Sequence, residues 1–231
     1  MPKQNRAAYR NKLFDYLLGR VSGSQFGEDL SVFEYFLTMG KPVITYLDIG
    51  ANHPKLHSNT HLLSRNGSSG VLVDANSEMC KKLRRARKRD KVINVGVAAV
   101  GGEDMDLSVM DIEGLSTLNP KWQEHLLSQG MSSEVAIQKV KIVGINDLLA
   151  EYFPRQAPDF VSIDIEGMDF EVLESWDFDR WRPSILCIET GILTRGEYIR
   201  DELFEKLMLQ RGYAPLFQTF SNTLFLDTQT P

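Results

Sequence analysis

The sequence predicts an α/β domain built on a mostly parallel sheet with helices on both faces. Two observations carry that expectation. Short, continuous apolar runs (VITYLDI, GVLVD, FVSIDI, SILCIET) alternate with segments of helical period, the pattern of strands covered on both sides and joined by crossover helices. After the last helical segment the chain closes on APLFQTF and NTLFL around Ser221-Asn222, which reads as an antiparallel pair.

The elements follow in order. Residues 3–18 read as an amphipathic helix, with Ala8, Leu13, Phe14 and Leu17 on one stripe, and 29–39 as a second helix ended by Gly40 and Pro42. Residues 1–40 are thus expected to form a helical extension packed on a domain of residues 41–231. In that domain VITYLDIGAN is a strand ending in a glycine turn, followed by a short helix near 60–65. GVLVDAN is the second strand, and Asn76 or Ser77 caps the next helix with Glu78 in its first turn. VINVGVAAV is expected as one strand and LSVM as the next. Residues 111–136 read as irregular around a short helix near 122–127. KVKIV, a helix over 146–152, the strand FVSIDI, a helix over 169–176, the strand SILCIET and a long helix over 197–210 complete the order.

Composition narrows the class. The 231 residues are enough for one substantial core. At 42% hydrophobic and 25% charged, the chain has the balance of a soluble globular enzyme. A net charge of −5 argues against general nucleic-acid affinity. No apolar stretch is long enough to span a bilayer, and the N-terminus lacks the apolar segment of a signal peptide. Two distant cysteines, Cys80 and Cys187, argue against a disulfide scaffold and for a cytoplasmic setting.

Ligand sites in such sheets lie at the carboxyl ends of the strands. Here those ends are Asp48 to Asn52, Asp74, Gly96, Asp164 to Glu166, and Glu189-Thr190. Gly50 permits a sharp turn and close approach of a ligand. Asp74, ending the second strand, stands where a carboxylate would take two ribose hydroxyls. The pair points to an adenosine-containing cofactor. Because Ala51, Asn52, His53 and Pro54 follow Gly50, the GxGxxG dinucleotide fingerprint is absent, which argues against a nicotinamide enzyme. The closing strand pair also favours a sheet in which a last antiparallel strand inserts beside the fifth.

The pieces SQFGED (24–29), YLDIGANHP (46–54), SNT (58–60), GVLVDAN (70–76), INVGVA (93–98), LSTLN (115–119), DFVSIDIEGMDFEVL (159–173) and RPSILCIET (182–190) occur in the order and spacing of one family. In these the chain resembles the FkbM-type S-adenosylmethionine-dependent methyltransferases. The resemblance implies a class I, Rossmann-like methyltransferase fold with a seven-stranded sheet, and methyl transfer to an oxygen. Acceptors would be sugars of glycans, glycolipids or nucleotide-linked precursors, or natural-product hydroxyls. It further implies that Asp48, Gly50 and Asn52 line the methionine end of S-adenosyl-L-methionine, that Asp74 takes the ribose, and that Gln25 and Glu28 lie near the same site. Gly96, at the third strand end, completes the expected cofactor set.

Methyl transfer to a hydroxyl needs the proton removed and the two partners held in line. Asp164 and Glu166, one residue apart in extended chain, point to the same face. They can share a proton, bind a divalent cation or divide roles between cofactor and acceptor; no metal ligands are assigned. His53, directly after the cofactor turn, is the other candidate base. Asp169 and Glu171 read as helix-starting acids, because Gly167 breaks the strand before them. Ser116 and Thr117 fall in the irregular segment and are the expected acceptor contacts, with Trp122 and His125 in the same lid. The run KKLRRARKRDK (81–91) carries eight basic residues and one acid. It reads as a solvated helix face, with docking of an anionic glycan or membrane as its alternative and an RNA-binding helix as the rival from another class. Oligomeric state is left open.

Overall fold

The computed structural model describes residues 22–112, 114–194 and 197–229, so the helix expected over 3–18 lies outside the described residues. The elements in chain order are α1 (Glu28–Thr38), β1 (Thr45–Ile49), α2 (His61–Arg65), β2 (Ser69–Asp74), α3 (Ser77–Ala86), β3 (Lys91–Asn94), β4 (Gly96–Ala98), β5 (Met105–Met110), α4 (Pro120–Ser128), β6 (Glu134–Val140), β7 (Ile142–Gly144), α5 (Ile145–Tyr152), β8 (Phe160–Ile163), α6 (Asp169–Ser175), β9 (Ile185–Glu189), β10 (Gly191–Thr194), β11 (Glu197–Arg200), α7 (Glu202–Gln210), β12 (Tyr213–Gln218) and β13 (Asn222–Asp227). A seven-stranded sheet runs β12-β13-β9-β8-β1-β2-β3. Its strands are parallel except β13, which lies antiparallel to both β9 and β12. This is the expected Rossmann-like sheet, with the last strand, β13, inserted between β9 and β12.

The period-two alternation of each strand divides the core. Leu47, Ile49, Val71, Val73, Val161, Ile163, Leu186 and Ile188 belong to one cluster, which also holds residues of α5, α6 and α7. Tyr46, Leu72, Phe160, Ile185 and Cys187 belong to the other, with Val32 and Phe36 of α1, Leu63 of α2 and Leu83 of α3. In β1 and β8, the positions in step with Tyr46 and Phe160 become the polar Asp48 and Ser162 near the carboxyl ends. That change of character opens one face of the sheet to a polar cavity.

Three expectations are corrected. VINVGVAAV is two strands: β3 stays in the main sheet, whereas β4 pairs in parallel with β7. Gly96 marks the departure, since a Cβ there would stand 2.5 Å from Leu118 Cδ1 and 2.7 Å from Ile142 Cδ1. The segment read as irregular up to 136 already contains the start of β6, which pairs antiparallel with β5. The helix expected from 197 begins at Glu202, because the Asp201 carboxylate accepts from Leu203 N at 2.9 Å and caps it. Residues 197–200 instead form β11 against β10. Among the described residues no helix is long and apolar enough to cross a membrane.

Candidate active site

The first strand end is shaped by an approach only glycine tolerates. Gly50 has φ 81°, and a Cβ on it would lie 1.7 Å from the Asp164 carbonyl oxygen. The amides of Gly50 and Ala51 both donate to Val73 O, at 2.9 and 3.1 Å, folding the turn against β2. Asn52 follows with φ 43° and donates its amide to Asp74 Oδ2 at 2.7 Å, while Asn76 N donates to Asp74 Oδ1 at 2.7 Å. Each Asp74 oxygen thus accepts one backbone bond and keeps a second lone pair for a ligand.

Around this turn lies a cavity of about 500 Å³, lined by Gly50, Asn52, Asp74, Asn76 and Gly96 on the polar side and by Val73, Val95, Leu107, Leu118 and Met168 on the apolar side. Ser116, Asp164, Ile165 and Glu166 complete one end. Such a donor set suits a flat base joined to a ribose, with Asp74 available to two adjacent hydroxyls and carboxylates beside a cationic end. A second cavity of about 490 Å³ is lined by Gln25, Asp48, His57, Ser58, Asn59, Ser162, Glu189 and Asn222, with Ile112, Leu115, Trp122, Leu126 and Met131 as an apolar wall. Gly50, Asn52, Gly114, Asp164 and Glu166 line both.

The shared wall is built by the turn after β8. Asp164 N donates to Ile49 O at 3.0 Å, continuing the ladder with β1 one residue past the strand. Glu166 (φ 52°) and Gly167 (φ 92°) then reverse the chain. Three side chains from the lid hold that reversal. Thr117 Oγ1 donates to Glu166 O at 2.8 Å, Asn119 Nδ2 to Gly167 O at 2.6 Å and Trp122 Nε1 to Glu166 Oε2 at 2.8 Å. Asp169 accepts from Ile165 N and Gly167 N at 3.1 and 3.3 Å, so it ties down the turn that precedes its helix.

Oxygens of Asp164, Glu166 and Glu189 lie within 4.8 Å of one another, a donor set that suits a hard cation in type. Burial first, then the neighbouring Asp169, Asp48, Asp74 and Glu28 charges, pushes Asp164 up to about 7. Burial and then Asp164 push Glu166 well above the usual carboxylate range, against the Trp122 donor. Glu189 is pushed well above it too, by burial and then by Asp164. Burial likewise raises Asp48 and Asp74, each to about 6. Carboxylates this close cannot all be charged near neutrality, so the cluster retains protons.

The structure sorts the expected residues. Asp74 and Gly96 line the first cavity, and Gly50, Asn52, Asp164 and Glu166 line both. Gln25 and Asp48 line the second rather than the first. Glu28 lines neither: fully buried, it accepts from Phe26 N, Thr219 Oγ1 and Asn222 Nδ2, pinning the start of α1 to the turn before β13. His53 also lines neither cavity, because its Nδ1 accepts from the amides of Lys55 and Leu56 at 3.1 and 2.9 Å and closes their turn. Ser116 lines the first cavity, whereas Thr117 is buried and holds the Glu166 turn. Two residues to which the sequence gives a place but no chemical role, Glu189 and Trp122, enter the site. Glu189 stands at a strand end, which was its one visible signal. Trp122 reaches Glu166 from 44 positions earlier in the chain.

The sequence profile described as Methyltransferase FkbM domain matches residues 48–214. No curated protein matches. Among solved structures the chain is similar to a TehB-like SAM-dependent methyltransferase from Corynebacterium glutamicum, with 10% identity, TM-score 0.43, and coverage of 99% of this chain and 100% of that one. It is also similar to the 1,6-didemethyltoxoflavin-N1-methyltransferase of Burkholderia thailandensis, bound to 1,6-didemethyltoxoflavin and S-adenosylhomocysteine (11%, TM-score 0.42, coverage 98% and 89%). A third is TehB from Haemophilus influenzae (9%, TM-score 0.41, coverage 88% and 63%).

Proposed function

The chain belongs to the FkbM methyltransferase family and is an S-adenosylmethionine-dependent enzyme; on that premise we propose that it methylates a hydroxyl of a sugar in a glycan, glycolipid or nucleotide-linked precursor. The observation that carries this reading is the wall common to the two cavities, with Asp164 and Glu166 in it. The first cavity takes the cofactor and the second the acceptor.

Bound S-adenosylmethionine supplies an electrophilic methyl carbon on a sulfonium sulfur. Asp74 would hold the two ribose hydroxyls with the lone pairs its backbone bonds leave free. Gly50 and Gly96 keep the wall of that cavity free of side chains. Asp164 would accept the proton of the acceptor hydroxyl, so that the oxygen pair released from the O–H bond could bond the methyl carbon while the carbon–sulfur bond breaks and its pair leaves with sulfur as the neutral thioether of S-adenosylhomocysteine. With its pKa raised to about 7, Asp164 is a stronger base than a solvated carboxylate and is still substantially ionised near neutrality. Glu166, held by Trp122, orients the same hydroxyl.

The second cavity supports a sugar acceptor by its mixed character. Gln25, Ser58, Asn59 and Asn222 offer donors and acceptors for ring hydroxyls, while Ile112, Leu115 and Trp122 offer an apolar wall for C–H faces. The test is mass spectrometry of products after incubating the enzyme and S-adenosylmethionine with panels of glycan, glycolipid and nucleotide-sugar extracts. A mass gain of one methyl on a sugar fragment is the expected result. Methylation confined to nitrogen, or to non-carbohydrate hydroxyls, overturns the sugar assignment.

A further inference from the structure

Arg87 lies in the basic run 81–91, where the sequence suggests a solvated face. Its neighbours Lys81, Lys82, Arg84, Arg85, Lys88 and Arg89 are indeed exposed. Arg87 is 4% exposed. Just past the end of α3, its guanidinium turns inward and uses every donor it has. Nε donates to Asp90 Oδ2 at 2.8 Å. Nη1 reaches Pro54 O at 3.3 Å and Ser58 Oγ at 3.4 Å. Nη2 reaches Tyr46 OH at 3.0 Å, and Thr60 through both its carbonyl at 3.3 Å and its hydroxyl at 3.0 Å.

Thr60, fully buried, passes the contact on: its Oγ1 accepts from Arg87 and donates to Asp48 Oδ2 at 2.6 Å. One side chain therefore grips the segment 54–60 at both ends and, through Thr60, one oxygen of Asp48. That segment supplies His57, Ser58 and Asn59 to the second cavity, and Asp48 is on its wall. The Asp90 carboxylate that balances Arg87 also accepts from Tyr46 OH at 2.6 Å and Gly70 N at 3.0 Å, so the anchor is tied to the body of the sheet.

We propose that Arg87 is a positioning residue of the acceptor site, fixing the 54–60 segment directly and the Asp48 carboxylate through Thr60. The assignment rests on the second cavity being the acceptor site. Its physical basis is donor count. A guanidinium presents five N–H groups in a fixed fork, whereas an ammonium offers three from a single point and cannot span Asp90, Pro54, Ser58, Tyr46 and Thr60 together.

The test needs no acceptor, so it stands apart from the sugar assignment. Hydrogen exchange of the 55–60 amides is compared in the wild type, Arg87→Lys and Thr60→Val, and the Asp48 carboxyl is titrated by carbon-13 NMR in the wild type, Thr60→Val and Thr60→Ser. Charged and titratable groups facing Asp48 are Arg87 and Asp90 from the α3 end, Asp74 from the β2 end, Asp164 from the β8 end and Cys187 from β9. Arg87→Lys is expected to speed exchange across 55–60 at least about tenfold. Thr60→Val should move the Asp48 titration upward, because a donor to the charged form is lost, and Thr60→Ser should restore it. Binding of S-adenosylhomocysteine, measured calorimetrically, should change less than about threefold in the Thr60 variants. Unchanged exchange in Arg87→Lys, or an unmoved Asp48 titration in Thr60→Val, overturns the proposal. So does loss of S-adenosylhomocysteine binding in Thr60→Val, which would make the network a support of the cofactor cavity. If Arg87→Lys does not fold, the two Thr60 variants decide.

Discussion

The indole N–H of Trp122 donates to Glu166 Oε2 at 2.8 Å, joining helix α4 of the lid to the turn that separates the two cavities. Through this bond the lid controls which way a buried carboxyl of the site faces. Trp122→Phe keeps the aromatic volume and deletes the donor. Turnover is expected to fall about tenfold, the effect of losing one hydrogen bond to an ionisable group worth roughly 1.5 kcal/mol. The Glu166 pKa should rise further, since a donor to its charged form is lost. S-adenosylhomocysteine affinity should stay near wild type, because Trp122 does not line the first cavity. Parallel kinetics and calorimetry check the split.

Asp74→Ala should weaken S-adenosylhomocysteine binding about 100-fold, since two hydroxyl bonds to a carboxylate contribute roughly 1.5 kcal/mol or more each. Calorimetric titration measures it. An affinity equal to wild type would remove Asp74 from the ribose role.

Asp164→Asn is expected to lower turnover by roughly 10² to 10⁴, the usual worth of a positioned general base. Glu166→Gln should cost less if Glu166 orients the hydroxyl and Asp164 takes its proton. S-adenosylhomocysteine lacks the sulfonium charge, so its affinity should change little in either variant. Rates of both variants on the acceptor found by mass spectrometry, set beside their binding isotherms, check the division of roles.

Stability should fall as pH rises through neutrality. Burial raises Asp48, Asp74 and Asp169 to about 6 and Asp164 to about 7, all above the unfolded value of 3.8. The folded protein therefore holds protons that the unfolded chain has released, and the linkage makes stability decline with pH between about 4 and 7. This contribution is fully present below pH 4 and lost as pH passes the folded values. His61, lowered by burial to about 4, works the other way below pH 6.5. Thermal melts without cofactor should show a higher Tm at pH 5.5 than at pH 8, and Asp164→Asn should flatten the difference.

Much of the fold was readable because it is set by local pattern. The apolar runs of β1, β2, β8 and β9, the Asn76 cap of α3 and the closing pair β12 and β13 all follow from neighbours in sequence. Helix α7 starts five residues after Glu197, which in sequence resembles a first-turn acid, because Asp201 is the cap. In the site, Gly50, Asp74, Asp164 and Glu166 stand at strand ends, where topology concentrates ligand contacts. His53 had the same sequence credentials and is spent on a local turn.

The sequence by itself determined the sheet, its carboxyl-end acids and the family. Only the tertiary structure decided which acids meet, that Asp48 faces the second cavity, that Trp122 reaches Glu166, and that Arg87 leaves its basic run for the interior. Strand alternation and helix caps act over a few residues and leave a readable period. Contacts across 27 or 44 positions leave none, because they depend on how separately folded segments stack.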